Sequence, residues 1–151
     1  MNPAAEIIRN MRIICLLQIF FCFSILGLFT IADQHLQLNY KALETLIPWL
    51  SVTVLIIAVI DHFQFLRRIQ RSANLPFEER LKAYRRATIF RFTVIETISI
   101  LFGILFLFTG SLIYLLESAL GAFLMLYFYP SILKIAKDLS VSVQELEQSI
   151  S

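Results

Sequence analysis

Cysteine, histidine and glycine are scarce in this chain of 151 residues, which holds two, two and four of them. Cys15 and Cys22 stand seven residues apart. On a helix that is about 10.5 Å, beyond the reach of a disulfide, so a bridged framework within the chain is excluded. Two thiols inside an apolar run read as small packing residues. His35 and His62 belong to no cysteine–histidine cluster with zinc-ligand spacing. The sequence carries no nucleotide-binding loop and no nucleophile–base motif, and nothing in it calls for a cofactor or a metal. It has no internal repeat and no low-complexity tract. Charge is thin as well, at 16% of residues against about 25% in ordinary soluble domains. A net charge of +2 is too mild to suggest nucleic acid as a partner.

What is present is apolar surface, 58% of the residues, with 14 phenylalanines suited to lipid-facing helices. The stretch from Phe92 to Tyr129 is almost wholly apolar over 38 residues. One helix of that length would run about 57 Å, while a bilayer's hydrocarbon core is about 30 Å thick. The small, turn-prone Thr109-Gly110-Ser111 divides it into two spans joined by a tight hairpin. A proline should be tolerated at Gly110 and should damage folding at Gly103, inside a helix.

The remaining spans follow from the N-terminus. Asn2-Pro3 resembles a helix start, and Arg9 and Arg12 precede an apolar run over Ile13–Ile31. Its 19 residues exceed the roughly 7–15 of a signal peptide's core, so it reads as a first transmembrane helix. A polar connector, Asp33 to Thr45, includes His35, Asn39, Tyr40, Lys41 and Glu44. The second span is expected over 46–66, with Pro48 in its first turn and Trp49 as an interfacial aromatic. The third is expected over 87–108 and the fourth over 112–129, ending near Pro130. Between the second and third, Asn74-Leu75-Pro76 breaks the loop and Glu78-Glu79 begins a new helix. These two helices should project beyond the membrane as a short hairpin. Ser142-Val143-Gln144-Glu145 matches a capping box and predicts a terminal helix over 143–150. The fold class is therefore all-α: a single four-span integral membrane bundle with short cytoplasmic helical extensions.

Orientation follows from the cations. Four spans put both termini on one side, and that side holds twelve of the 13 lysines and arginines. Eight lie in the 67–91 loop: Arg67, Arg68, Arg71, Arg80, Lys82, Arg85, Arg86 and Arg91. Lys41 alone lies opposite. The positive-inside rule puts the termini and the basic loop in the cytoplasm. The loop's cations are then expected to meet lipid headgroups or a partner protein.

Ionisable groups within spans are costly, about 2.5–3.5 kcal/mol at mid-bilayer on insertion scales, and are the candidate site. Glu96 lies five residues inside Arg91, Asp61 and His62 six and five inside Arg67, and Gln18 six past Arg12. At a common depth they form a candidate polar layer, although Asp61 and His62 point about 100° apart. Thr93, Glu96, Thr97, Ile100 and Gly103 share one stripe. Tyr114, Glu117, Ser118, Gly121 and Met125 share another. Small residues on both, Gly103, Ser118, Gly121 and Ala122, favour close helix packing. Glu117 lies about 10 Å from Glu96 along the bundle, so the two are no catalytic pair. Glu117 is expected to bond to serine or tyrosine hydroxyls. The sequence supports a non-enzymatic subunit or scaffold in the lipid bilayer, associating with itself or with another membrane protein. The alternatives are a small oligomeric proton-linked transporter or channel using Glu96 and Glu117, and a membrane-embedded enzyme.

Overall fold

Proline and glycine set the helix ends in the computed structural model, which describes residues 3–36 and 45–148. The elements are α1 (Pro3–Leu36), α2 (Ile47–Ser72), α3 (Phe77–Thr109), α4 (Leu112–Phe128), α5 (Ile132–Leu139) and α6 (Val143–Gln148). The expected Asn2 cap, the connector around Asn39 and Lys41, and residues 149 and 150 lie outside the described residues, as does the side chain of His35. Pro48 lies in the first turn of α2 and Pro76 immediately precedes α3, where a missing N–H costs nothing. Glu78 and Glu79 fill the first turn of α3, where carboxylates meet the positive end of the helix dipole.

Between α3 and α4 the chain turns at Gly110, as expected. Its φ is 65°, and its amide donates to the Phe106 carbonyl at 2.7 Å. That geometry overturns the expected tolerance of proline. A pyrrolidine ring fixes φ near −65° and removes the amide hydrogen, so both features of the turn would be lost.

The molecule is an all-α helical bundle. Three helices, α1, α2 and α3, are long and apolar enough to cross a membrane. The 17 residues of α4 span about 26 Å. Together with α5, across a 76° bend at Tyr129–Ser131, they make a fourth candidate span. The sequence reading missed α5, although Ile132, Ile135, Ala136 and Leu139 fall at i, i+3, i+4 and i+7, the spacing of an amphipathic helix. The last three of these are buried. Ser131 caps α5 by accepting from the Lys134 amide, and Ser140 closes it in a left-handed conformation at φ 53°. The Ser142–Glu145 capping box forms reciprocally, at 2.9 and 3.1 Å.

Packing centres on α3, which touches α1 and α4 along much of its length and α2 more sparingly. One core runs from the basic-loop end into the bundle, through Ile8, Met11 and Cys15 of α1 and Leu81, Tyr84 and Phe92 of α3. Met125 of α4, Ile135 and Leu139 of α5 and Leu146 of α6 complete it. A second core, Phe102, Phe106 and Tyr114, fills the opposite end. Both cysteines are free and buried in the first core. By contrast, among the described residues of α2, Phe65 is the one apolar side chain buried in the cores, with Ile69, Leu50 and Val54 packed partly buried against them, and most of the other apolar side chains of α2 are exposed.

Candidate functional site

The angular spacing of a helix separates the polar residues of α3 into two centres. Arg91 and Glu96 are five residues apart, so they point about 140° away from each other at 100° per residue. Arg91 faces α2, and Glu96 faces α1. The single layer expected from the sequence is thus two, on different flanks of α3.

The first centre joins α1 to α3. Gln18 Nε2 donates to Glu96 Oε2 at 3.0 Å and to Thr93 Oγ1 at 3.1 Å. Gln18 Oε1 is buried and has no hydrogen-bond partner. Thr93 and Thr97 are exposed on the outer flank, with their hydroxyls bonded back to the Ile89 and Thr93 carbonyls. Of the stripe Thr93, Glu96, Thr97, Ile100 and Gly103, only Gly103 is buried, and the buried face of α3 runs through Arg91, Ser99, Phe102, Gly103 and Phe106. Glu96 itself is half-buried at the margin.

The second centre lies between α2, α3 and α4. Arg91 Nε donates to Asp61 Oδ2 at 2.9 Å, with side-chain exposures of 7% and 14%. Phe65 lies over the guanidinium at 3.8 Å from its centroid and Phe128 at 4.8 Å. Arg91 Nη2 is buried without a hydrogen-bond partner. The sequence reading grouped Arg91 with the surface cations; the structure turns it inward as the counter-ion of Asp61. His62, rotated away from Asp61, is exposed.

Because α2 diverges from α4, a cleft of about 210 Å³ remains between them. Its walls are Val54 and Ala58 of α2, Ile98 and Phe102 of α3, and Leu120 and Leu124 of α4, and Asp61, His62 and Arg91 also line it. Glu117 borders it as well and accepts from Ser51 Oγ at 3.1 Å, a serine hydroxyl of the kind expected. Below it, α4 approaches α3 closely: Ser118 Oγ donates to the Ser99 carbonyl at 2.7 Å.

The other basic residues also divide. Arg67, Arg68, Arg71 and Arg86 are exposed, with Arg68 over the Phe90 ring at 4.7 Å. Lys82 pairs with Glu79 at 2.8 Å on the surface, and Arg85 is half-buried. Arg80 donates through Nη2 to the Leu139 carbonyl, where a cation meets the negative end of α5. Tyr84 Oη donates to Asp138 Oδ2 at 3.0 Å, and Arg12 Nε donates to Tyr129 Oη at 3.1 Å. Sequence spacing offered no signal for these two contacts, which join residues 54 and 117 positions apart.

Among the described residues, no three histidine, cysteine, aspartate or glutamate side chains converge as a metal site would require. Compared with known proteins, the chain matches no family, no curated sequence and no solved structure.

Proposed function

We propose that this chain is a non-enzymatic four-span subunit of the cell (inner) membrane, with both termini and the basic loop in the cytoplasm. It works by associating with itself or with another membrane protein. One observation carries the reading: the outer flank of α3 presents Thr93 and Thr97 beside the half-buried Glu96. Ionisable residues in spanning helices normally face a bundle interior, and polar side chains there act as glue between helices. On an outer flank they call for a second protein surface. The exposed Arg67, Arg68, Arg71 and Arg86 suit the anionic cytoplasmic leaflet.

The test is mild-detergent purification with mass determination and identification of what accompanies the chain. Thr97→Trp blocks the flank without touching the Gln18–Glu96 bond. The expected result is a homo-oligomer or a stoichiometric membrane partner that is lost in Thr97→Trp. A monomer without a partner, unchanged by the variant, would reject the reading. Topology is read by labelling introduced cysteines. Asn74 is exposed whereas Ser72 is buried, so Asn74→Cys should react only from the cytoplasm and Asn39→Cys only from outside.

A second reading, a small proton-linked transporter, is favoured by one feature. Glu117, Asp61 and Arg91 share a single cleft between α2 and α4. Proton-coupled flux in proteoliposomes that Glu117→Gln abolishes without loss of folding would promote it.

A further inference from the structure

The cleft between α2 and α4 has a feature that packing alone leaves unused. Arg91 is more than nine-tenths buried, yet one of its donor nitrogens has no partner. Phe65 and Phe128 lie against the guanidinium, with ring centroids 3.8 and 4.8 Å from its central carbon. Its Nε is taken by Asp61. The side chain that carries this unpartnered donor lines an apolar cleft. A buried donor without an acceptor is costly, so the site calls for an oxygen from outside the chain.

Charge decides what kind of oxygen. Asp61 already neutralises Arg91, and Glu117 adds a second carboxylate to the same cleft. The cleft therefore offers an anion no unpaired arginine or lysine and two carboxyl groups to meet. Depth points the same way. Asp61 lies six residues inside Arg67, about 9 Å along α2. A phosphate or carboxylate head would lose its hydration to reach that level, whereas an ester or hydroxyl oxygen loses far less.

Length and lining then describe the rest of the ligand. Asp61 and Ser51, the partner of Glu117, are ten residues apart on α2. That is about 15 Å, half of a hydrocarbon core about 30 Å thick and so the depth of one leaflet. The walls between them are aliphatic and aromatic: Val54, Ala58, Ile98, Phe102, Leu120 and Leu124. We propose that the cleft binds one uncharged acyl amphiphile, with its ester or hydroxyl oxygen at the Arg91–Asp61 pair and its chain between α2 and α4. The inference rests on the membrane reading above but not on self-association, which involves the opposite flank of α3.

The test uses the full chain in phosphatidylcholine vesicles with a monoacylglycerol bearing a photoactivatable group in its chain. Flotation with the vesicles checks membrane insertion separately. Crosslinks are expected on α2 and α4 around Ala58 and Leu124. Excess monoacylglycerol should compete, whereas phosphatidylglycerol and ionised fatty acid should not. Leu124→Trp fills the cleft and should lower labelling about ten-fold, while Thr97→Trp on the far flank should leave it unchanged. Replacing Arg91→Met and Asp61→Leu together removes the pair without stranding a charge, and should weaken competition several-fold. Size-exclusion profiles check that each variant is folded. Labelling that persists in Leu124→Trp, or that phosphatidylglycerol competes equally well, would overturn the proposal.

Discussion

Gly121→Ala adds one carbon at the closest approach of α3 and α4. A Cβ at Gly121 would lie 1.9 Å from Ser99 Oγ, 3.2 Å from Ser99 Cβ and 3.7 Å from Ser99 Cα. Rotating the serine hydroxyl relieves the first contact but breaks its bond to the Ile95 carbonyl, now 2.9 Å. The Cβ contact remains tight after that rotation, so the helices must separate. Separation in turn lengthens the 2.7 Å bond from Ser118 to the Ser99 carbonyl. Overpacking of this kind costs about 1–3 kcal/mol, and an interhelical bond in a membrane adds about 0.6 kcal/mol. Gly27→Ala is the matched control, because a Cβ there meets nothing within 4 Å. In an exposed helix interior that change should stabilise by up to about 1 kcal/mol. Thermal unfolding in detergent should therefore move in opposite directions for the same chemical change. Ser99→Ala in the Gly121→Ala background should recover part of the loss by removing Oγ. Gly121→Ala as stable as the parent, or no recovery in the double variant, would refute the close approach.

Arg91→Met strands Asp61 inside the bundle and should cost about 3–5 kcal/mol, while adding Asp61→Leu should recover most of it; detergent unfolding midpoints of the three proteins measure both. Glu96→Gln should be nearly silent for stability, because its partner is the Gln18 amide rather than a cation and an amide oxygen still accepts; a fall in midpoint comparable to that of Arg91→Met would mean that a counter-ion had been missed. The Glu145 carboxyl is held below its ordinary value, first by the Ser142 backbone N–H and then by the Ser142 hydroxyl. A lowered folded value means that the cap stabilises above the unfolded value and loses that contribution as pH falls through the folded one. The exchange protection factor of the Ser142 amide, which donates to that carboxylate, should accordingly hold at neutral pH and fall as pH drops through the lowered folded value, with Glu145→Gln flattening the response.

The helices were legible in the sequence because the signals that make them are local. Pro48, Pro76, Gly110 and the Ser142–Glu145 box act within a few residues of themselves, so the ends of α2, α3, α4 and α6 lie close to where they were expected. The partner of Glu117 was legible in kind, since a serine hydroxyl is a common answer to a carboxyl in an apolar helix. α5 carried its own signal in Ile132, Ile135, Ala136 and Leu139, which the two nearby lysines masked. What the sequence alone determined was thus the position and apolarity of the four long helices and the concentration of cations at one end. Which flank of α3 is buried was decided only by tertiary structure. Helical periodicity says that Arg91 and Glu96 point about 140° apart, but not which of them meets a neighbour that can satisfy it. That choice depends on α1 reaching Glu96 through Gln18 and on α2 reaching Arg91 through Asp61, contacts between residues 78 and 30 positions apart in the chain. The cleft belongs to the same level, because it exists where α2 and α4 each pack on α3 and leave the space between them unfilled.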